Sequence, residues 1–190
     1  MIVIALTMEE VQNRNDRIEE LLADIADGDG SAMGLLYDLI KTDVFAYALS
    51  KTGNRSEADD ITQDTFVRVY KYAKQYSPQG KPMAWIIRIE LNIIRRQFQL
   101  KSRSVGLGDG FENVPSEEDL EESVINNAFL KQLLKTLNEE EREVVTLHIV
   151  SGMKHREIAK LLNKPLSTVL SKYNRAVKKL QLVVKTCSGF

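Results

Sequence analysis

Cysteine is nearly absent from this chain: Cys187 is the only one in 190 residues. A lone thiol cannot close an internal disulfide. With only two histidines, His148 and His155, no Cys/His spacing suits a zinc site. Neither histidine has a Glu three residues before it, so the metal motif of helical bundles is missing too. No nucleophile elbow or Walker loop occurs. Gly28, Gly30 and Gly34 brush against a glycine-rich phosphate loop, but the spacing is wrong and a helix, not a strand, precedes them. These gaps leave no catalytic set, so neither an enzyme nor a cofactor or metal is expected. Long apolar runs are lacking as well, which excludes a membrane-spanning helix. The 2–6 run is too short for a signal-peptide core and has no basic residue before it, so a cytoplasmic chain in a reducing compartment is expected.

Proline is scarce, at four residues, and strand signals are few. The 43% hydrophobic content is that of a foldable globular protein. The periodic segments are helical, so the expected fold class is all-α. Met8–Asp27 reads as an acidic amphipathic helix with Val11, Ile18, Leu21, Leu22 and Ile25 as its apolar positions. A broad apolar face over 32–51 (Leu35, Leu36, Leu39, Ile40, Val44, Tyr47, Ala48) suits a central bundle member. Over 56–76, Ser56 and Asp59 suggest a capping-box start. Ala58, Ile61, Thr65, Val69 and Tyr72 would form the buried stripe, widened by Phe66. Opposite them runs a polar stripe: Asp60, Gln63, Asp64, Arg68 and Lys71. Asp60 and Asp64 lie four apart and repel each other modestly. Either a basic partner docks there, or the acids simply complement the helix N-terminus.

The segment 77–82 is a loop by composition. The helix predicted over 83–99 has Trp85, Ile86, Ile89, Ile93 and Ile94 as its apolar body. From Arg68 to Arg103 there are nine Lys/Arg and one acid, Glu90, interleaved with aromatic residues. Basic charge beside aromatic faces suits single-stranded nucleic acid. The competing reading puts Trp85 in the core with its isoleucine neighbours.

Net charge is −1, so any basic surface is local. Glycines, Pro115 and serines mark a linker over 103–122, and seven acids without a base lie from Asp109 to Glu122. The expected architecture is therefore two small helical domains, 1–102 and 123–185, joined by a flexible acidic linker. The second domain would hold four helices: 124–137, 139–150, and a pair joined at Asn163-Lys164-Pro165. That pair is a helix-turn-helix candidate. Ile158, Ala159 and Leu162 face inward on its first helix, and Val169, Tyr173, Ala176, Val177 and Leu180 on its second. The opposite face offers Ser167, Thr168, Ser171, Lys172, Arg175 and Lys179, none of them acidic. From Ser151 to Lys185 there are nine Lys/Arg and one acid. A face of this kind can put donors on phosphates and base edges, or it can be a solvated helical hairpin.

Two blocks carry a resemblance. The first is SEADDITQDTFVRVYKY followed by MAWIIRIELNIIRR, and the second is LNEEEREVVTLHIVSGMKHREIAKLLNKPLSTVLSKYNRAVKKL. In this order they resemble a bacterial RNA polymerase sigma factor of the extracytoplasmic-function (ECF) type, in the sigma-70 family. The resemblance implies that the first domain docks on a coiled coil of the polymerase largest subunit through Asp59, Asp60, Ile61, Gln63, Asp64 and Phe66. It implies that Lys74, Lys81, Trp85, Arg88, Asn92, Arg95 and Arg96 meet the melted −10 element. Pro165, Ser167, Thr168, Ser171, Lys172 and Arg175 would read the −35 duplex. Core RNA polymerase (coiled coil and flap region), promoter DNA and an anti-sigma factor are the implied partners.

The chain departs from the family pattern at several of these positions. Arg96 stands where Asp is usual and Gln99 where Arg is frequent. Lys154 replaces a Ser that would contribute about 1 kcal/mol as a cap. Leu170 replaces a common Lys. The alternative reading is a stand-alone helix-turn-helix regulator, which would bind operator duplex by itself, as a dimer on two half-sites.

Overall fold

The computed structural model describes the backbone of residues 8–104 and 136–187, and the side chains of 10–101, 136–149 and 151–182. Regular structure among the described residues is helical throughout. The order is α1 (Met8–Asp27), α2 (Gly30–Thr52), α3 (Arg55–Tyr72), a 3₁₀ turn (Ala73–Gln75) and α4 (Pro82–Ser104), then α5 (Glu139–Val145), a π-helical segment (Thr146–Val150), α6 (His155–Leu162) and α7 (Leu166–Cys187). Residues 105–122 of the linker expected over 103–122, and residues 124–135 of the helix expected over 124–137, lie outside the described residues. Residues 103 and 104, expected to open the linker, instead end α4.

The helix ends follow from local chemistry. Asp29 caps α2 by accepting from the Ser31 amide at 2.8 Å and from its hydroxyl at 2.6 Å. The hydroxyl contact and the amide hold the Asp29 carboxyl below its usual range. The cap of α3 is Asn54, which accepts from the Glu57 amide at 3.0 Å, and not Ser56. Asn54 wins because Gly53, left-handed at φ 66°, turns the chain so that Asn54 is the last extended residue before the helix. α3 ends four residues short of the predicted 76, since the chain tightens into the 3₁₀ turn. Pro82, placed in the loop by composition, is instead the first residue of α4, where its missing N–H costs nothing.

α5 opens with a reciprocal capping box: the Asn138 side chain accepts from the Glu141 amide at 2.9 Å, and Glu141 accepts from the Asn138 amide at 3.1 Å. The single α-helix expected over 139–150 is shorter. Beyond Val145 it widens to π geometry, with the Ser151 amide reaching the Thr146 carbonyl at 3.3 Å. Gly152, at φ +65°, then reverses the chain beside Val11 of α1.

One apolar core runs through the described residues. Ile18, Leu21 and Leu22 of α1 meet Leu36, Ile40 and Val44 of α2, Ile61 and Val69 of α3, and Ile86, Ile87, Ile93 and Ile94 of α4. Each such burial is worth about 1.5–3 kcal/mol. The same core continues through Val144, Leu147, Met153, Ile158 and Val169 in the C-terminal helices. Polar contacts follow it across. The buried Tyr47 hydroxyl donates to Glu143 Oε1 at 3.0 Å, and Lys51 Nζ lies 2.6 Å from Glu139 and 3.5 Å from Glu143. Leu35 and Leu39, expected inside, are 54% and 37% exposed. α2 is apolar over too wide an arc for its neighbours to cover, so the flank carrying Leu35 and Leu39 stays outside.

Candidate nucleic-acid and docking surfaces

α3 divides its residues as helical period dictates. Asp59, Asp60, Gln63 and Asp64 are exposed on one side. Ile61 and Phe66, grouped with them as docking residues by resemblance, are 0% and 5% exposed. They fall on the buried side of the helix, and the Phe66 ring sits 4.8 Å from that of Tyr37. They support the acidic stripe from beneath and do not present themselves to a partner. Val67 and Tyr70 are exposed beside it, a signal the polar pattern alone did not single out.

On α4 the inner side carries the isoleucines and also Glu90, fully buried with no hydrogen-bond partner for either carboxylate oxygen. Burial pushes its carboxyl well above the usual range. The outer side carries Arg88, Asn92, Arg95 and Arg96, all exposed, at i, i+4, i+7 and i+8. Lys74 and Lys81 are exposed at the approach to this helix, and Lys81 Nζ lies 4.0 Å from Glu157 of α6. Trp85 is half-buried against the core, with its ring centroid 5.1 Å from that of Tyr76. It is thus both a core residue and the floor of the 76–81 loop.

The helix-turn-helix is α6 and α7. Asn163 takes the left-handed conformation at φ 52°, which asparagine tolerates. The amides of Thr168 and Val169 bond the Pro165 carbonyl and start α7. Lys154 makes no side-chain cap, as expected. Its backbone amide is instead taken up by Glu157 Oε2 at 3.0 Å. Behind the motif, the rings of His148, His155 and Tyr173 pack within 4.2–4.8 Å of one another. His148 Nδ1 lies 2.8 Å from the Met153 carbonyl, an acceptor only, so this nitrogen carries the hydrogen. The two imidazoles pack against the Tyr173 ring, and burial, then the neighbouring His148, holds His155 below the usual imidazole value. They join the π-helical segment to both helices of the motif.

Pro165, Ser167 and Arg175 are exposed, and Thr168 and Ser171 half-buried, on the outer side of α7. Arg175 donates to Ser171 Oγ at 3.1 Å. Lys172 differs from the expectation. Its ammonium pairs with Glu140 of α5, which Lys164 also reaches at 2.6 Å. The hydrogen bonds from these two lysines lower the Glu140 carboxyl to about 2. Lys179 likewise lies 2.7 Å from the buried Glu141. Counting charge from Ser151 onward missed this, because the neutralising acids sit just upstream, in the first turn of α5.

These elements define an all-α protein with a helix-turn-helix at one end and an acidic and a basic helical stripe at the other. The Sigma-70 region 2 family matches residues 36–104, and the Sigma-70 region 4 family matches 130–180. The chain is 28% identical over 170 residues to the ECF RNA polymerase sigma factor BldN of Streptomyces coelicolor, covering 86% of this chain and 64% of BldN. It is 30% identical over 167 residues to the ECF sigma factor SigE of Mycolicibacterium smegmatis, covering 82% and 64%. It is 25% identical over 181 residues to the ECF sigma factor SigW of Bacillus subtilis, covering 86% and 95%. It thus spans less than two thirds of the first two relatives and nearly all of the third. In fold it is similar to CnrH, solved with the cytosolic domain of CnrY (TM-score 0.60, 24% identity, 90% of this chain and 99% of that one). It is also similar to RpoE of Bartonella quintana, solved with the anti-sigma factor NepR (TM-score 0.58, 23% identity, 78% and 94%). The chain belongs to the sigma-70 family, in its ECF group.

Proposed function

We propose that this protein is a promoter-specificity subunit: it binds core RNA polymerase, directs initiation to particular promoters and performs no catalysis of its own. The observation that carries the reading is the presence of both sigma-70 regions in order on one chain, each on a surface of fitting chemistry. On the docking side, Asp59, Asp60, Gln63 and Asp64 form an exposed acidic stripe suited to basic helices of the polymerase coiled coil. On α4, Arg88, Arg95 and Arg96 supply three cations for the phosphates of a separated strand, and Asn92 supplies an amide for a base edge. Extruding a base costs a few kcal/mol, which a preformed pocket at 74–85 must offset. On α7, Ser167, Thr168, Ser171 and Arg175 meet the −35 duplex.

Cytoplasmic residence follows from this role. No helix among the described residues is long and apolar enough to cross a membrane. An anti-sigma factor is the expected regulator, since RpoE of Bartonella quintana was solved with one. Runoff transcription with purified core enzyme tests the proposal. Added chain should redirect initiation to new start sites. If core enzyme neither binds the chain nor changes its start sites, the reading is wrong. Asp60→Lys should lower core affinity about tenfold, the scale of a reversed interfacial charge, and leave duplex binding by the C-terminal helices unchanged.

A further inference from the structure

α1 precedes both matched regions, which begin at residue 36, and its role is not explained by them. Most of its polar residues face solvent, but Glu19 does not act as a solvated acid. Its Oε1 accepts from the Tyr76 hydroxyl, from the Gln79 amide at 3.1 Å and from the Gly80 amide at 2.8 Å. Three donors of the 76–81 loop thus converge on one carboxylate oxygen. Gly80 is left-handed at φ +66°, and successive amides around such a residue form a concavity that favours an anion. Glu19 fills it from another helix. The Tyr76 phenol, fixed at its oxygen, holds its ring against Trp85, and burial together with Glu19 raises its pKa well above the ordinary value.

We infer that Glu19 is a positioning residue for strand capture: by gathering Tyr76, Gln79 and Gly80 on one oxygen it holds the 76–81 loop and the Tyr76–Trp85 pair in the shape that receives the extruded base. This rests on the −10 role proposed above for 74–85. The loop has no regular hydrogen-bond ladder of its own. Without Glu19 the Gln79 and Gly80 amides would bond water, and the loop would sample many shapes that strand binding must then restrict.

The experiment uses the full chain as wild type, Glu19→Gln and Glu19→Ala. Gln keeps an acceptor at the same place without the charge. In the free protein, hydrogen exchange at the Gln79 and Gly80 amides and the emission of Trp85, the only tryptophan, report the loop. In complex with core polymerase, affinity is measured for a promoter fork with an unpaired −10 strand and for a fully duplex −35 fragment. Hydrogen bonds to a charged acceptor being the strong ones, E19A should unprotect both amides, shift the emission and weaken fork binding about tenfold, while E19Q loses about threefold. Duplex and core binding should not change in either variant. Three outcomes overturn the inference: amides as protected in E19A as in wild type, fork affinity unchanged although the amides open, or fork affinity raised in E19A. The last would mean that Glu19 competes with a DNA phosphate for the concavity. If wild-type chain fails to bind core at all, the proposed function falls and the capture role with it, a result distinct from a loss confined to the variants.

Discussion

On α4, Arg88, Arg95 and Arg96 are exposed and make no ion pair among the described residues, whereas on α7 Lys172 and Lys179 reach back to Glu140 and Glu141 of α5. Both helices stand out as basic in the primary sequence, and both were expected to meet DNA. They differ in what sits beneath them. The inner side of α4 is lined by isoleucines and one fully buried carboxyl that makes no ion pair with its arginines. α7 packs on a helix whose first turn is Glu139-Glu140-Glu141, acids that favour that helix N-terminus and also hold lysines. Charge availability therefore depends on the packing neighbour as much as on the charged residue. A polyanion arriving at α4 meets free cations, while on α7 the free cation of the expected set is Arg175.

The largest expected effect comes from reversing the free face. Arg88→Glu with Arg95→Glu should weaken binding of a melted-strand fork by the complex about 100-fold, since each lost phosphate contact removes nearly one ion from the salt dependence. A loss below about threefold would erase the distinction drawn for α4.

Second is the buried carboxyl under that face. Burial raises the Glu90 carboxyl in the folded chain above its unfolded value, so stability should fall as pH rises above the ordinary carboxylate range. Glu90→Met removes two buried, unpartnered oxygens and should stabilise the chain by about 2 kcal/mol at pH 7, and by less at pH 4.5. Urea unfolding at the two pH values checks both the sign and the slope. Destabilisation at pH 7 would mean that Glu90 has a partner there.

Third, Arg175→Ala should reduce −35 duplex affinity about tenfold and lower the salt slope by about 0.9, whereas Lys172→Ala should change the slope far less because Lys172 is already paired. Equal slopes would show that DNA takes Lys172 away from Glu140.

The smallest effect concerns that pair directly. Glu140 stays ionised in the folded chain down to about pH 2, below the ordinary glutamate value of 4.5. Its bridges are therefore intact above about pH 4.5 and are lost as pH falls through 2. The carboxylate is half-exposed, so screening keeps the contribution below about 1 kcal/mol. Glu140→Gln should cost that little in stability and should steepen the salt slope of duplex binding by freeing Lys164 and Lys172.

Much of this was legible in the order of residues. The apolar spacing of α1 and of the helix-turn-helix located those elements closely, because one strongly periodic face leaves little freedom. Asn163 and Asn138 marked breaks that the structure has. Helix ends governed by a contest between neighbouring caps were not legible: Asn54 outcompetes Ser56 only once Gly53 has turned the chain. The π-helical widening after Val145 leaves no periodic trace, since it adds a single residue to a turn. At the candidate surfaces, periodicity separated Asp60 and Gln63 from solvent-hidden neighbours, yet the resemblance swept in Ile61 and Phe66, which the same periodicity assigns to the core. The Lys172–Glu140 and Glu19–loop contacts join residues 32 and about 60 positions apart, respectively, and long-range pairing of that kind has no local signature.

Permanganate reactivity of unpaired thymines, on a promoter bound by core polymerase and this chain, reads strand opening itself. A melted segment should appear with wild-type chain and vanish with the Arg88/Arg95 reversal, while upstream duplex protection persists. Melting that survives the reversal, or that never depends on the chain, would mean that the α4 arginines do not hold the separated strand.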